Sequence, residues 1–155
     1  MKIAPFEIEQ YFDQYEFTTP YLLCASDCET MRIAELLEMA KVPIAAFAEL
    51  QLGYTVAQGN LELRTAVSQT YRSVQPDQVV ILTAPEEGIY LTMRTLLEPG
   101  DHVIVLTPAY NSLLNLAQHI TGNVSQWAIQ PTETGWRIDL DAFEQLVTPE
   151  TKLII

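Results

Sequence analysis

The 155-residue sequence has few of the groups on which several protein classes depend. Two cysteines, Cys24 and Cys28, are too few to staple a small secreted fold, so a reduced, cytoplasmic protein is expected. Eight basic residues face twenty acidic ones, and the net charge of −12 repels nucleic-acid phosphates and anionic lipid headgroups. No apolar run approaches the ~18 residues that a membrane helix needs, and the start Met1-Lys2-Ile3-Ala4-Pro5-Phe6-Glu7 has no signal-peptide pattern. The six glycines never form G-x-G-x-x-G or a Walker loop, which leaves nicotinamide and nucleoside-triphosphate sites of those kinds unsupported. Cys24, Cys28, His102 and His119 are spaced too loosely for a zinc site or a Cys-His nucleophile, so no metal is expected. Cys24 and Cys28 read as small apolar fillers, and His102 as a surface residue at a strand start.

What is present is a globular composition, 48% hydrophobic and 18% charged. Phe6 to Tyr15 suits a short helix that Thr18-Thr19-Pro20 ends. Thr30 is placed to cap a helix with Ile33, Leu36, Leu37 and Ala40 on one face, and Pro43 starts another short one. Asn60 suits the N-cap of a helix burying Leu63, Ala66, Val67 and Tyr71. From there short apolar runs alternate with helices: Val79 to Leu82, Val103 to Leu106, Val124 to Ile129, and a run starting at Leu153. Pro85-Glu86-Glu87 fits a helix first turn, with Ile89, Met93, Leu96 and Leu97 inward. Tyr110 to Ile120 forms the next helix, with Leu113, Leu114, Ala117 and Ile120 inward. Asp139 caps another that buries Leu140, Phe143 and Val147. Uninterrupted apolar strands alternating with helices predict an α/β fold with a mostly parallel sheet, preceded by a mainly helical N-terminal segment. Ligands in such sheets sit beyond the carboxyl ends of the strands, here Thr83 to Glu87 and Thr107 to Tyr110. Because the sequence stops within the run ending at Ile155, a truncated or excerpted reading frame is expected.

An ordered series runs through this pattern. Gly53-Tyr54 and Gly59 precede Leu63-Arg64. Thr83-Ala84-Pro85-Glu86-Glu87-Gly88-Ile89, Leu97-Glu98-Pro99-Gly100-Asp101-His102-Val103 and Pro108-Ala109-Tyr110 follow. From about Ala25 to Ile155 this resembles the N-terminal half of the class I/II aminotransferases, the fold-type I enzymes that use pyridoxal phosphate. Tyr21 to Glu29 and Glu86-Glu87-Gly88 are most similar to capreomycidine-synthase-like members.

The resemblance implies residues 1–52 as an N-terminal segment belonging to the small domain and bordering the substrate cleft, with Ser26-Asp27 at that border. It implies residues 53–155 as the first part of the cofactor-binding large domain, ending at its fourth strand. It implies cofactor phosphate on the backbone at Ala84, Pro85 and Glu86, and ring stacking on Tyr110. Tyr54 would reach across a homodimer to the partner's cofactor phosphate, and Arg64 would anchor its helix. The family has Gly-Ala or Gly-Ser where Ala84-Pro85 stands, and Pro85 has no N–H to donate. The activity implied is amino transfer between an amino acid and a 2-oxo acid, which needs a lysine amine. Lys2, Lys41 and Lys152 are the only lysines, and none lies in a Ser-x-x-Lys context, so no catalytic residue is assigned and the chain alone should not transaminate. The family's strand order, 1-7-6-5-4-2-3, leaves strands 3, 2 and 4 able to pair here and isolates strand 1, so the chain alone should be poorly soluble or rearranged. The alternatives are a degenerate, non-catalytic binding or subunit-pairing module, and a flavodoxin-like domain in which strand 1 pairs with strand 2.

Overall fold

The computed structural model describes residues 3–155, and Lys2 lies outside the described residues. Two compact units divide the chain: Pro20–Ile81, and Met1–Thr19 together with Leu82–Ile155.

In the second of these, a run of β-branched residues builds the centre of a parallel sheet. Strand β1 (His102–Thr107) lies between β2 (Val124–Ala128) and β5 (Thr151–Ile154). In the register, Val103 faces Val124, Thr107 faces Ala128, and Ile104 faces Ile154. Val103, Ile104 and Val105 are fully buried, because a central strand is covered on both faces. Val103 and Val105 pack with Met93 and Leu97 from α5 (Pro85–Leu96) and its C-cap, and with Leu116, Ala117 and Ile120 of α6 (Asn111–Thr121). Helix α6 ends where Gly122 adopts φ +68°, a left-handed conformation that glycine reaches without the Cβ penalty. Strands β3 (Gln130–Thr132) and β4 (Gly135–Arg137) form a separate antiparallel hairpin. Helix α7 (Leu140–Leu146) is capped by Asp139, whose carboxylate accepts from the Ala142 N–H at 3.0 Å. Near the chain start, α1 (Glu7–Tyr15) precedes the break at Pro20.

The other unit holds α2 (Ile33–Met39), α3 (Ile44–Ala48), α4 (Leu61–Ser68) and one 3-10 turn, Pro76–Gln78. Asn60 caps α4 as expected, accepting from Leu63 N–H at 3.1 Å. Arg64 anchors the helix: Nε donates to the Gly59 carbonyl at 3.0 Å and Nη1 to the Pro76 carbonyl at 2.7 Å. Gly59 sits at φ +102°, and a Cβ there would lie 2.6 Å from Ile81 Cβ, so glycine is required for conformation and space alike.

The α/β class and the 3-2-4 order of the last three expected strands are found, but several local expectations are corrected. Val79 to Leu82 is not a strand. A strand exists by pairing, and here Ile81 N–H donates instead to the Gln58 carbonyl of a loop. The sheet therefore has three parallel strands, and β1 is flanked by β2 and β5, which overturns the flavodoxin-like alternative. Helix α4 buries Arg64 and Ser68, not Leu63 (48% exposed) or Tyr71, because the guanidinium's two carbonyl bonds turn that face inward. Helix α2 is capped at Arg32 and not at Thr30, with Glu35 accepting from the Arg32 N–H at 3.0 Å. The Arg32 guanidinium beside it holds the Glu35 carboxyl below its ordinary range. Leu96, Leu140 and Val147 are exposed, while Leu116, not foreseen, is core. Cys24 and Cys28 are exposed in an irregular segment and fill no core.

His102 is also buried, at 5% exposure. Its Nδ1 lies 2.8 Å from Thr151 Oγ1 and its Nε2 2.9 Å from Ser125 Oγ, so one ring ties the three strands. A strand start is exposed only at a sheet edge, and β1 has a neighbour on each side.

Candidate functional site

Two segments foreseen as ligand-facing lie in the unit containing the sheet. The first is the start of α5. Ala84 is extended (φ −149°, ψ 156°), Pro85 occupies the first helical position, and no side chain caps the end. Pro85 brings no donor, but the Glu86 and Glu87 N–H groups have no partner among the described residues, as expected for a helix's first turn. Such an end attracts anions through its free N–H groups and dipole. The Glu87 carboxylate folds back to accept the Thr83 N–H at 2.7 Å, so one acid is already held at this end.

The second segment follows β1. Thr107-Pro108 is a cis peptide, and Tyr110 immediately precedes α6. The Tyr110 ring is 42% exposed and borders a cavity of about 270 Å³ shared with Ile8, Pro108 and Ala109. Phe6 meets it edge-on with ring centroids 4.7 Å apart, and its hydroxyl donates to Glu9 Oε1 at 3.1 Å. Burial first, then the bond to Glu9, then the charges of Glu86 and Glu9, push the Tyr110 phenol above its ordinary range. Glu86 at the start of α5 and Asn111, the residue after Tyr110, line a common cavity, which brings the two segments into one neighbourhood.

Ala84, Pro85, Glu86 and Tyr110 thus belong to one region. Tyr54 lies in the other unit, fully exposed. Phe6 and Glu9 were not foreseen. Glu9 is 101 residues from its partner, and no local pattern marks such a contact. Asn115 Nδ2 adds a 3.3 Å bond to the Pro5 carbonyl. Among the described residues, no three His, Cys, Asp or Glu side chains gather as a metal site, and no helix is long and apolar enough to cross a membrane. Lys152 is exposed on β5, and Lys41 follows the C-cap of α2 with φ +56°.

The family model for aminotransferase class I and II matches residues 20–155. The chain belongs to this family. A "Probable aspartate aminotransferase" of Methanocaldococcus jannaschii is 27% identical over 146 residues, covering 86% of this chain and 37% of that protein. Capreomycidine synthase of Streptomyces vinaceus is 37% identical over 98 residues, covering 63% of this chain and 25% of the synthase. Among solved structures, a PLP-dependent aminotransferase from Streptococcus suis 89-1591 superposes with a TM-score of 0.90 at 29% identity. It covers 99% of this chain and 42% of that one. This aminotransferase-family chain therefore spans about two fifths or less of the length of these relatives.

Proposed function

We propose that this aminotransferase-family chain is the N-terminal portion of a pyridoxal-phosphate enzyme that transfers an amino group between an amino acid and a 2-oxo acid. The complete enzyme would be a cytoplasmic homodimer, and the chain alone would be inactive. Residues 1–52 would belong to its small domain and cleft border, and 53–155 to the large domain. The observation that carries the reading is an uncapped helix start, with the Glu86 and Glu87 N–H groups unpartnered among the described residues, that shares a cavity with Asn111, the residue after Tyr110 at the carboxyl end of β1.

These groups fit the cofactor. The α5 start from Ala84 to Glu86 offers backbone donors to a phosphate. Tyr110 offers an aromatic face to a heteroaromatic ring, with its hydroxyl proton held toward Glu9. Pyridoxal phosphate supplies an electron sink for charge developing at the substrate's α-carbon. Tyr54, exposed, would donate its phenol to the phosphate held by a second subunit. The amine that must hold the cofactor would come from residues beyond this sequence.

One observation favours a second reading, a degenerate module for binding or subunit pairing. Pro85 removes a donor from the phosphate cradle, and the Glu87 carboxylate occupies part of it. Titrating the protein with pyridoxal phosphate, with Trp127 and Trp136 fluorescence as the readout, separates the two. The enzyme reading predicts saturable binding that Tyr110→Ala weakens at least about tenfold, the cost of losing an aromatic contact of roughly 1.5 kcal/mol. No binding, or binding indifferent to Tyr110, favours the module.

A further inference from the structure

We propose that Glu9 is a positioning residue: through the Tyr110 hydroxyl it fixes the ring on which the cofactor would stack. The inference rests on the cofactor reading of Tyr110 given above and extends it to a segment that reading does not use. Tyr110 stands at the N-cap of α6, makes no capping bond with its own side chain, and is exposed. A ring so placed turns about two side-chain torsions unless something holds it. A ligand stacking on it would have to stop that motion, at a cost to its affinity.

The first residues of the chain supply the restraint, running back along the start of α6. Asn115 Nδ2 donates to the Pro5 carbonyl at 3.3 Å and reaches the Ala4 carbonyl at 3.5 Å. The Phe6 ring then meets Tyr110 edge-on, at 80°. Phe6 is the N-cap of α1, and the Gln10 N–H donating to its carbonyl at 3.2 Å starts the helix there. Glu9 follows three residues on, so it lies on the same side of α1 as Phe6. Its carboxylate accepts the Tyr110 hydroxyl. Phe6 braces the ring and Glu9 tethers its far tip, so together they restrain both torsions. A carboxylate only accepts, which gives the bond one polarity, and a charge-assisted bond is roughly twice as strong as a neutral one. Of these contacts, the bond from Glu9 is the one that can be removed without emptying a packed position, because Glu9 is itself exposed.

The test titrates the protein made from its own gene, freed of cofactor, with pyridoxal phosphate. Two quantities are read: the dissociation constant, and the circular dichroism of the bound cofactor's absorption band. Free pyridoxal phosphate is achiral, so dichroism in that band reports how firmly its ring is oriented. Glu9→Ala weakens binding roughly two- to tenfold, the cost of ordering one side chain on binding, and lowers the dichroism per bound cofactor. Glu9→Gln, which keeps an acceptor oxygen, restores most of both. Tyr110→Phe loses as much as Glu9→Ala, and the two changes together lose no more than either, because they break the same bond. Glu9 is exposed, so the urea midpoint is unchanged and the losses belong to the ring. No binding of pyridoxal phosphate, or binding indifferent to Tyr110→Ala, overturns the cofactor reading and this inference with it. Binding that depends on Tyr110 but is unchanged by Glu9→Ala, or losses that multiply in the double variant, overturns the inference alone.

Discussion

Expressed on its own, the 155-residue chain is expected to self-associate. Its accessible surface is 12670 Å² for a mass of 17.5 kDa. A folded monomer of that mass exposes roughly 7,900 Å², so the excess is roughly 4,800 Å². Obligate interfaces bury roughly 1,000–2,500 Å² on each partner, so the excess is about twice one partner's share of a large obligate interface. Much of this surface is apolar: Phe17, Leu23, Leu52 and Tyr54 are almost wholly exposed, and Ile33 and Met39 of α2, Ile44 of α3 and Leu61 of α4 are more than half exposed. The free edge of β5 adds an unpaired ladder beside an apolar groove formed by Ile89, Met93, Leu113 and Leu153. Light scattering coupled to gel filtration reads the outcome, with an apolar dye as a second probe. Oligomers or aggregates with strong dye binding are expected, suppressed when the remainder of an aminotransferase fold is supplied. A monodisperse 17.5 kDa species that unfolds in one cooperative step without binding dye would refute the reasoning.

Other expectations concern single side chains, each measured in the protein made from its own gene. Ile104→Ala empties a fully buried position in the central strand and lowers stability by about 3–5 kcal/mol in urea unfolding. Gly59→Ala meets Ile81 at 2.6 Å with an unfavourable positive φ, so its melting midpoint falls by a loss of at least about 1–2 kcal/mol. His102→Ala strips the Thr151 and Ser125 hydroxyls of their shared partner and costs about 2–3 kcal/mol, whereas His102→Gln recovers part of it. Ultraviolet titration finds Tyr110 ionising above the ordinary tyrosine range, and Glu9→Gln brings it down. Because the folded value is raised, this contribution to stability is complete below the unfolded pKa near 10 and fades as pH rises through the folded value.

The features legible in the sequence are those set by neighbours a few residues away. Asn60 and Asp139 cap their helices through bonds to the third residue on, Pro85 opens α5, and the Val103 to Leu106 run is β-branched enough to mark a buried strand. The features not legible depend on distant partners. Val79 to Leu82 has strand composition but no strand to pair with, and composition cannot report that. His102 looks like a surface residue until β2 and β5 flank it. The resemblance implies Arg64 as the anchor of α4, but the two carbonyls that bury it lie 5 and 12 residues away, and no local pattern marks them. Tyr110 follows the carboxyl end of β1, the place to look in an α/β sheet, whereas the run before the α5 start is no strand, so only the family resemblance singles that helix start out. The cover of Tyr110 by Phe6 and Glu9 spans the chain and left no local trace.

The central claim is that an amine outside this sequence completes a pocket begun by α5 and Tyr110. Incubating the protein made from its own gene with pyridoxal phosphate, reducing with borohydride and mapping the labelled peptide by mass spectrometry tests it most directly. The account predicts one labelled lysine in sequence following Ile155, with labelling reduced in Tyr110→Ala. A label confined to Lys2, Lys41 or Lys152, or none at all, would contradict it.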